Sequence, residues 1–337
     1  MIEIIERYNE EYQFSDIHLK EDKPIMLRIN GDMMIPDEDI VSSMELKEFA
    51  NDTLNEGQKN RLEEVRDVDL AIEIGPTRFR ANFFYTADGL SAVLRKIETE
   101  IPSMAELKLP YVMQSMAEKP NGLVLVTGPT GSGKSTSLAA IIDAINATKK
   151  GHILTIEDPI EYIHHANICS ISQREVGRDA ESFSSALRAS LREDPDVILV
   201  GEMRDLETIQ LALTAAETGH LVFGTLHTSG APNTINRIID VFPAEQQGQV
   251  RAQLSQSLQM VVTQKLYKRS DGEGRVAAFE VMVCNHAVRN LIREGKIFQI
   301  ESVMQTARGE GMVTMKHALE QLLLSQEINQ ADVEVED

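Results

Sequence analysis

The 337-residue sequence lacks tryptophan and contains only two cysteines, Cys169 and Cys284. Two thiols cannot form a four-cysteine zinc site, and their scarcity excludes a disulfide-based scaffold and indicates a reducing compartment. Glycine and proline are also infrequent, at 20 and 11 residues, whereas hydrophobic residues make up 42% of the chain. This composition excludes bulk disorder and is typical of a folded globular protein.

Positive charge is scarce as well, because 33 Lys and Arg residues face 53 Asp and Glu residues and leave a formal net charge of -20. A surface of this sign repels phosphate backbones and anionic lipids, so we expect no nucleic-acid partner. No run approaches the ~20 apolar residues that cross a bilayer, and Met1–Arg7 has no apolar signal core. We therefore expect a cytoplasmic protein with no direct membrane insertion, which reaches a membrane only through a partner.

The length predicts about two domains, at ~100–200 residues each. In the first, apolar and polar residues alternate over Val68–Ile74 and Phe79–Phe83, which predicts two strands with one buried face each. Asn30-Gly31, between two apolar runs, predicts a hairpin turn, and Met44–Leu54 has the period of a helix. We therefore predict a small α+β domain over residues 1–98.

The pattern changes after a predicted linker at 99–104. Short apolar runs then alternate with helical stretches such as Leu138–Ile145, which predicts a mainly parallel sheet with helices on both faces. The predicted strands are Leu123–Val126, Ile153–Ile156, Val197–Val200 and Leu221–Leu226. We assign the α/β core to 105–270 and a chiefly helical part to 271–337, where Asn285 is placed to cap a helix that ends before Gly295.

The most specific motif is GPTGSGKS at 128–135, which satisfies the P-loop pattern and lies between a predicted strand and a predicted helix. In such a loop the backbone N–H groups surround phosphates, Lys134 contacts the β- and γ-phosphates, and the Ser135 hydroxyl binds Mg²⁺. The sequence therefore predicts a nucleotide site. Its predicted binding residues are Thr130, Gly131, Ser132, Gly133, Lys134, Ser135 and Thr136.

Two acidic residues follow predicted strands at positions suited to hydrolysis. Glu161 lies in the cluster that follows Ile153–Ile156, and Glu202 follows Val197–Val200. Because ligands gather at the carboxyl ends of strands in α/β sheets, we expect both carboxylates beside the P-loop. Glu161 is our candidate for orienting water, and Glu202 for holding Mg²⁺ through a water molecule. The alternative is that these carboxylates only cap helices or face solvent.

Histidines and arginines supply further candidates. His227 follows the last predicted strand and can form a hydrogen bond toward a γ-phosphate, whereas His220, before that strand, is as plausible a packing residue. Arg78, Arg80 and Arg95 lie opposite the apolar alternation of the first domain. They either offset the acidic surface or donate a guanidinium to the nucleotide of a neighbouring subunit. We select Arg80 and Arg95 for the second role.

Four ordered motifs resemble those of the secretion-superfamily ATPases. GPTGSGKST, TIEDPIEY, LREDPDVILVGEMRDLET and ETGHLVFGTLHT are similar to their Walker A motif, Asp box, atypical Walker B motif and His box. SDIHL at 15–19, RFRANFF, INRIIDVFPAEQQ and AVRNLIRE extend the resemblance to the type IV pilus retraction, or twitching-motility, ATPases almost end to end. Secretion ATPases usually carry a tetracysteine zinc motif, which this chain lacks.

The resemblance implies an α/β chain with an N-terminal PAS-like domain and a C-terminal RecA-like P-loop domain. It also implies a homohexamer that hydrolyses ATP with Mg²⁺ to depolymerise pilin. Such a motor is peripheral at the inner membrane, where its partner is the pilus platform protein. In AVRNLIRE, the spacing of Val288, Leu291 and Ile292 predicts a buried face and leaves Arg289, Asn290 and Arg293 exposed to transmit force.

Three alternatives remain at this point. The segment Thr86–Leu90 is nearer to the accessory retraction paralogue, although AVRNLIRE favours the main motor. A related type II secretion or DNA-uptake motor shares the same motifs. A nucleotide-gated scaffold without turnover belongs to another class, and the joint presence of Glu161 and Glu202 argues against it, because a binding-only protein needs no carboxylate to orient water.

Overall fold

The computed structural model describes residues 1–334 except Asn30, Gly31, Glu38, Glu98, Thr99 and Glu273, and does so without the side chains of Asp332 and Glu334. The chain divides into two compact units, Met1–Glu100 and Ile101–Asp337. The predicted Asn30-Gly31 turn and the first residue of the predicted linker, Thr99, lie outside the described residues.

The first unit combines an antiparallel sheet with helices. Its helices are α1 (Ile2–Glu11), α2 (Ser43–Thr53) and α3 (Glu56–Val65). Its strands are β1 (Asp16–Lys20), β2 (Lys23–Pro24), β3 (Met26–Ile29), β4 (Asp32–Met34), β5 (Ile40–Val41), β6 (Asp67–Ile74), β7 (Thr77–Thr86) and β8 (Gly89–Ile97). Among the described residues, six strands pair in the order β4-β3-β1-β8-β7-β6, all antiparallel, and β2 pairs with β5. The predicted α+β class is confirmed.

Alternation along β7 explains how this sheet buries one face. Phe79, Ala81 and Phe83 are fully buried, while Arg80 between them is exposed. Helix α2 covers the buried face, with the ring of Phe49 centred 5.6 Å from that of Phe83. The predictions missed α1 and α3. The apolar residues of α1 do follow helical spacing, and Ile5 and Tyr8 are buried, so this helix was recognisable from the sequence, whereas α3 buries only Leu62 and has a weak apolar pattern.

The second unit is an α/β domain. Its strands are β9 (Gly122–Thr127), β10 (His152–Glu157), β11 (Ser170–Glu175), β12 (Val197–Val200), β13 (Leu221–Leu226), β14 (Leu258–Lys268) and β15 (Arg275–Val283). Its helices are α4 (Tyr111–Gln114), α5 (Lys134–Thr148), α6 (Phe183–Ser190), α7 (Leu206–Glu217), α8 (Ala231–Asp240), α9 (Ala244–Ser257), α10 (His286–Glu294), α11 (Ile300–Thr306), α12 (Met315–Leu324) and α13 (Gln330–Glu334). Short 3-10 turns span Ser115–Glu118, Ile297–Gln299 and Arg308–Glu310.

The sheet of this unit is mainly parallel, as predicted. Among the described strands the order is β11-β10-β12-β13-β9-β14-β15, and only the β14–β15 pair is antiparallel. Leu123 and Leu125 of β9 pack into one core cluster with α7, whereas Val124 and Val126 pack into another with α5. Since both faces are covered, β9 is an uninterrupted apolar run, which is why the sequence pattern located it.

The chain after Lys268 is less helical than predicted. Arg275–Val283 forms β15, which pairs along its whole length with β14. A short apolar run of this kind cannot be assigned to strand or helix from periodicity alone, and the strand exists because β14 supplies a partner. The α10 prediction is confirmed: Asn285 Oδ1 accepts a hydrogen bond from Val288 N at 3.0 Å, and Gly295 ends the helix at φ 73°.

None of the helices that the structure describes is both long enough and apolar enough to cross a lipid bilayer.

Candidate functional site

The carboxyl ends of four neighbouring strands, β10, β12, β13 and β9, meet at one edge of the C-terminal sheet. A cavity of about 450 Å³ lies at this edge, where ligands bind in open α/β sheets. The predicted site residues that line it are Thr130, Gly131, Gly133, Lys134, Ser135, Thr136, Glu161, Glu202 and His227. The structure therefore brings the candidates from the P-loop and from three strand ends into one cavity.

Lys134 begins α5 and is largely buried. Its Nζ donates hydrogen bonds to the carbonyl oxygens of Gly128 at 2.8 Å and Pro129 at 3.0 Å, so the ammonium lies inside the curve of the P-loop. Burial lowers the pKa of Lys134, and the carboxylates of Glu202 and Glu161 counteract this effect. The side chain is thus a positive charge that faces both acidic candidates across the cavity.

The P-loop fits a phosphate. Ser132 Oγ is buried and has no hydrogen-bond partner among the residues that the structure describes. A Cβ on Gly131 would meet no atom within 4 Å, so the loop backbone is open at this point. The free N–H groups at the start of the 15-residue helix α5 point into the same loop. An orphaned hydroxyl, an open backbone and a helix N-terminus together match an anionic, oxygen-rich group.

Glu202 is the centre of a polar cluster that joins three segments of the site. Arg204 Nε lies 2.6 Å from Glu202 Oε1, and His227 Nε2 lies 3.2 Å from the same oxygen. His227 Nδ1 lies 3.5 Å from Thr130 Oγ1, which connects the cluster to the P-loop. Burial raises the pKa of Glu202, but the hydrogen bonds and charges of Arg204 and His227 outweigh it and hold that pKa below its ordinary value. Glu202 is therefore an ionised carboxylate at neutral pH.

Three carboxylates from the end of β10 and the segment that follows it line the cavity, namely Glu157, Asp158 and Glu161. Glu161 lines the same cavity as the P-loop, where its side chain is exposed. Glu157, the last residue of β10, accepts hydrogen bonds from Thr155 Oγ1 at 2.6 Å and Gln173 Nε2 at 3.3 Å. Burial raises the pKa of Glu157 to about 7. Glu157 was not among our candidates, although it belongs to the same acidic cluster as Glu161.

Other residues of the cavity were also missed. They are Asp158, Pro159, Phe183, Gly201, Arg204, Thr225, Leu266 and Arg275. Arg204 follows Glu202 by two positions and could have been found from its place in GEMRDLET. Leu266 and Arg275 come from the β14–β15 hairpin, part of which was predicted to be helical, so no sequence pattern placed them beside the P-loop.

His220 is not part of the cavity. It precedes β13 at the opposite end from His227, and its Nδ1 lies 3.0 Å from the carbonyl oxygen of Ala215. This position supports the packing alternative for His220. The same strand thus places one histidine in the site and the other at the far edge of the sheet.

Arg80 and Arg95 belong to the first unit, where they are directly paired across β7 and β8 and so share one face of the sheet. Arg95 Nε donates to Asp16 Oδ1 at 2.7 Å, and Arg80 Nε lies 3.7 Å from Asp69 Oδ1. Like charges that are directly opposite each other repel, and these two carboxylates offset the repulsion. Both guanidinium groups remain exposed, so their action on a neighbouring subunit stays a prediction.

A P-loop between β9 and α5, with acidic residues at the ends of adjacent parallel strands, defines a nucleotide-binding P-loop domain. Residues 4–332 match the family described as type II/IV secretion system protein, and the chain belongs to this family.

Comparison with individual proteins shows which members of this family the chain is similar to. The chain is 53% identical to the twitching motility protein of Neisseria gonorrhoeae over 299 residues, which are 88% of this chain and 80% of that protein. It is 51% identical over 310 residues to the type IV pilus retraction ATPase PilT of Pseudomonas aeruginosa, covering 92% and 90% of the two chains. A crystal structure of the pilus retraction motor PilT with bound ADP superimposes with a TM-score of 0.92 at 47% identity, covering 98% and 95%. The resemblance to the pilus retraction ATPases is confirmed.

Proposed function

We propose that this chain is a motor ATPase that drives retraction of a type IV pilus. The observation that carries the proposal is the convergence of Lys134, Glu161, Glu202 and His227 in one cavity. It occurs in a chain that shares half of its residues with a retraction ATPase over nine-tenths of its length.

The P-loop residues bind ATP as the substrate. The loop N–H groups and Lys134 hold the β- and γ-phosphates, with Ser132 Oγ as an additional donor. Mg²⁺ would be held by the Ser135 hydroxyl and, through a water molecule, by the ionised Glu202. When bound, Mg²⁺ neutralises phosphate charge.

Hydrolysis then needs a group that accepts a proton from the attacking water. Glu161 is the proposed acceptor, because its exposed side chain lines the cavity and it follows the carboxyl end of β10. As the water oxygen bonds to the γ-phosphorus, the bond to the β-phosphate oxygen breaks and ADP leaves. His227 is proposed to donate a hydrogen bond to the γ-phosphate. Its contact with Glu202 Oε1 would couple phosphate binding to the position of that carboxylate.

Arg80 and Arg95 are proposed to donate guanidinium N–H groups to the nucleotide of a neighbouring subunit in a homohexamer. The proposed partner of this ring is the pilus platform protein of the inner membrane, which holds the motor as a peripheral protein on the cytoplasmic side. ATP hydrolysis is converted at that contact into removal of pilin from the fibre base.

The test combines an ATPase assay with a motility assay. Wild-type protein should hydrolyse ATP, and it should restore twitching to a type IV piliated strain that lacks its own retraction ATPase. Lys134→Ala removes the charge nearest the β- and γ-phosphates, so its turnover should fall by at least 10²-fold and twitching should not return.

Three outcomes would overturn the proposal. Hydrolysis without restored twitching, in a strain where a known retraction ATPase does restore it, would indicate a secretion or DNA-uptake motor. ATP binding without turnover by the wild-type protein would indicate a nucleotide-gated scaffold. Lys134→Ala turnover within two-fold of wild type would show that the P-loop is not the hydrolytic site.

A further inference from the structure

Gln264 is a buried amide directly behind the P-loop. It lies on β14, whose Thr263 is in register with Thr127 at the end of β9, so Gln264 is level with the first residue of the loop. The residue is only 3% exposed. An amide buried to this extent is costly unless its polar atoms have partners, so its position in the core calls for a reason.

The side chain of Gln264 contacts the helix that the P-loop leads into. Its Oε1 accepts a hydrogen bond from Ser137 Oγ at 2.9 Å, and Ser137 lies in the first turn of α5. Both residues are buried, so water does not replace either partner. This bond ties the N-terminal turn of α5, whose N–H groups point into the P-loop, to the neighbouring strand.

Gln264 also fills the space next to two glycines of the loop. A Cβ on Gly128 would lie 2.3 Å from the Gln264 carbonyl oxygen, and a Cβ on Gly133 would lie 2.8 Å from Gln264 Nε2. Both glycines have positive φ, at 139° and 83°. The loop therefore begins and ends in close contact with one residue, and only glycine permits that approach.

We propose that Gln264 is a positioning residue that holds the P-loop in its phosphate-binding shape from behind. This inference rests on the proposed function, because it concerns the same nucleotide site. Gln264 acts through the loop backbone and Ser137. If the side-chain amide of Gln264 is removed, Gly128 still packs against the main-chain carbonyl of that residue, but Ser137 loses its hydrogen-bond partner and Gly133 loses the neighbouring Nε2. The end of the loop and the first turn of α5 are then no longer fixed to β14, and their N–H groups are held less well for binding phosphate.

The test measures ADP affinity by calorimetry, together with KM and kcat for ATP. Gln264→Met keeps the length of the side chain and removes both polar atoms. We expect ADP affinity to fall about five-fold or more, as for a lost buried hydrogen bond. KM for ATP should rise by a similar factor while kcat changes by less than about two-fold, because the loop binds phosphates equally in the ground and transition states.

Ser137→Ala, and the variant that combines it with Gln264→Met, complete a double-mutant cycle. If Gln264 acts through Ser137, the double variant should bind ADP no more weakly than Gln264→Met alone. Asn146→Ala is the matched control, since Asn146 is buried at the other end of α5 and donates to the His165 carbonyl oxygen at 2.8 Å. It should lower the melting temperature without changing ADP affinity.

The outcomes separate this inference from the proposed function. Failure of wild-type protein to bind ADP would refute the proposed function itself. A folded Gln264→Met variant with ADP affinity within two-fold of wild type would overturn the positioning role, and so would an equal loss in Asn146→Ala. If Gln264→Met does not fold, Ser137→Ala decides: unchanged ADP affinity in that variant contradicts the proposal.

Discussion

Glu161 and Glu202 line the same cavity but have different neighbours. Glu202 is half-enclosed by Arg204 and His227, which keep its carboxylate ionised, whereas Glu161 is exposed. An ionised carboxylate held by fixed partners suits a metal, through direct contact or water. An exposed carboxylate can move to meet a water molecule. At the scale of the residue, the two acids are therefore suited to different tasks.

These tasks predict different magnesium dependences. Glu161→Gln should reduce turnover by about 10²-fold or more and leave the half-saturating Mg²⁺ concentration unchanged, because only the proton acceptor is lost. Glu202→Gln should also raise that concentration about ten-fold. Titrating the ATPase activity of both variants with Mg²⁺ measures this. Superimposable magnesium curves would show that the roles are assigned wrongly.

Glu157 predicts a pH dependence of stability. Its pKa rises from an ordinary value of 4.5 to about 7 on folding, because burial disfavours the charged form. The folded state therefore binds a proton more tightly than the unfolded state, and the stability that this contributes is present below pH 4.5 and lost as the pH rises through 7. The amide of Glu157→Gln does not ionise, so the variant does not lose stability in this way as the pH rises. The melting temperature of the variant minus that of wild type should therefore increase by about 3 °C or more between pH 5 and pH 8.

Thermal denaturation without nucleotide measures this difference at each pH. A difference that stays constant would contradict the burial of the Glu157 carboxyl.

At the scale of the element, α10 differs from its predicted role in one respect. Val288 and Ile292 are buried, and Leu291 packs against the same core cluster although it is only partly buried. Asn290 and Arg293 are exposed, as the spacing predicted. Arg289 is instead half-buried, which corrects the prediction that it lies on the exposed face. Its guanidinium donates to the carbonyl oxygens of Ser255 at 2.9 Å and Gln256 at 2.7 Å, the last turn of α9, where free carbonyls and the helix dipole favour a cation.

Because Arg289 makes this contact and Asn290 does not, we expect substitutions at the two positions of α10 to differ in their effect on stability. Arg289→Ala should lower the free energy of unfolding by about 1–2 kcal/mol, because two hydrogen bonds from a charged group to the carbonyls at the end of α9 are lost. Asn290→Ala, which removes only a surface bond to Glu294, should change it by less than about 0.5 kcal/mol. Urea denaturation measures both. If the exposed face transmits force, Asn290→Ala should still impair twitching in cells while its ATPase activity is retained; normal twitching would indicate that this face has no such role.

The elements that form the site were predictable to different degrees. β12 and β13 have the predicted bounds, and β9 and β10 differ by one residue at each end, since each is an apolar run that is buried on both faces. The register between strands is not encoded in such runs. Gln264 and Arg275 reach the P-loop only because β14 pairs with β9 and β15 with β14. Sequence patterns show which residues are buried, but not which distant strand they lie beside.

At the scale of the whole molecule, the P-loop and the candidate arginines lie in different units. In the first unit, Arg28, Asp16, Arg95 and Arg80 occupy paired positions on four adjacent strands and form a row across one face of the sheet. A row with three guanidinium groups and one carboxylate is positive, in a protein whose net charge is -20. Such a row is a suitable surface for an anion such as the phosphates of a nucleotide.

If the chain forms the proposed hexamer, mixing two variants tests whether Arg80 of one subunit acts on the nucleotide of its neighbour. Arg80→Ala and Lys134→Ala should each abolish most ATPase activity as separate proteins, because the first lacks a guanidinium donor and the second lacks a functional P-loop. When the two are mixed and allowed to reassemble, some interfaces unite an intact arginine with an intact P-loop. An active interface needs one subunit with an intact Lys134 and a neighbour with an intact Arg80. With random mixing each condition is met in about half of the cases, so activity should recover to roughly a quarter of wild type.

The measurement is steady-state turnover in rings that affinity tags on both chains show to be mixed. The control is a mixture of Glu161→Gln with Lys134→Ala, in which no P-loop domain is intact. Recovery no greater than in that control would mean that Arg80 acts within its own chain or only stabilises the β7–β8 pair.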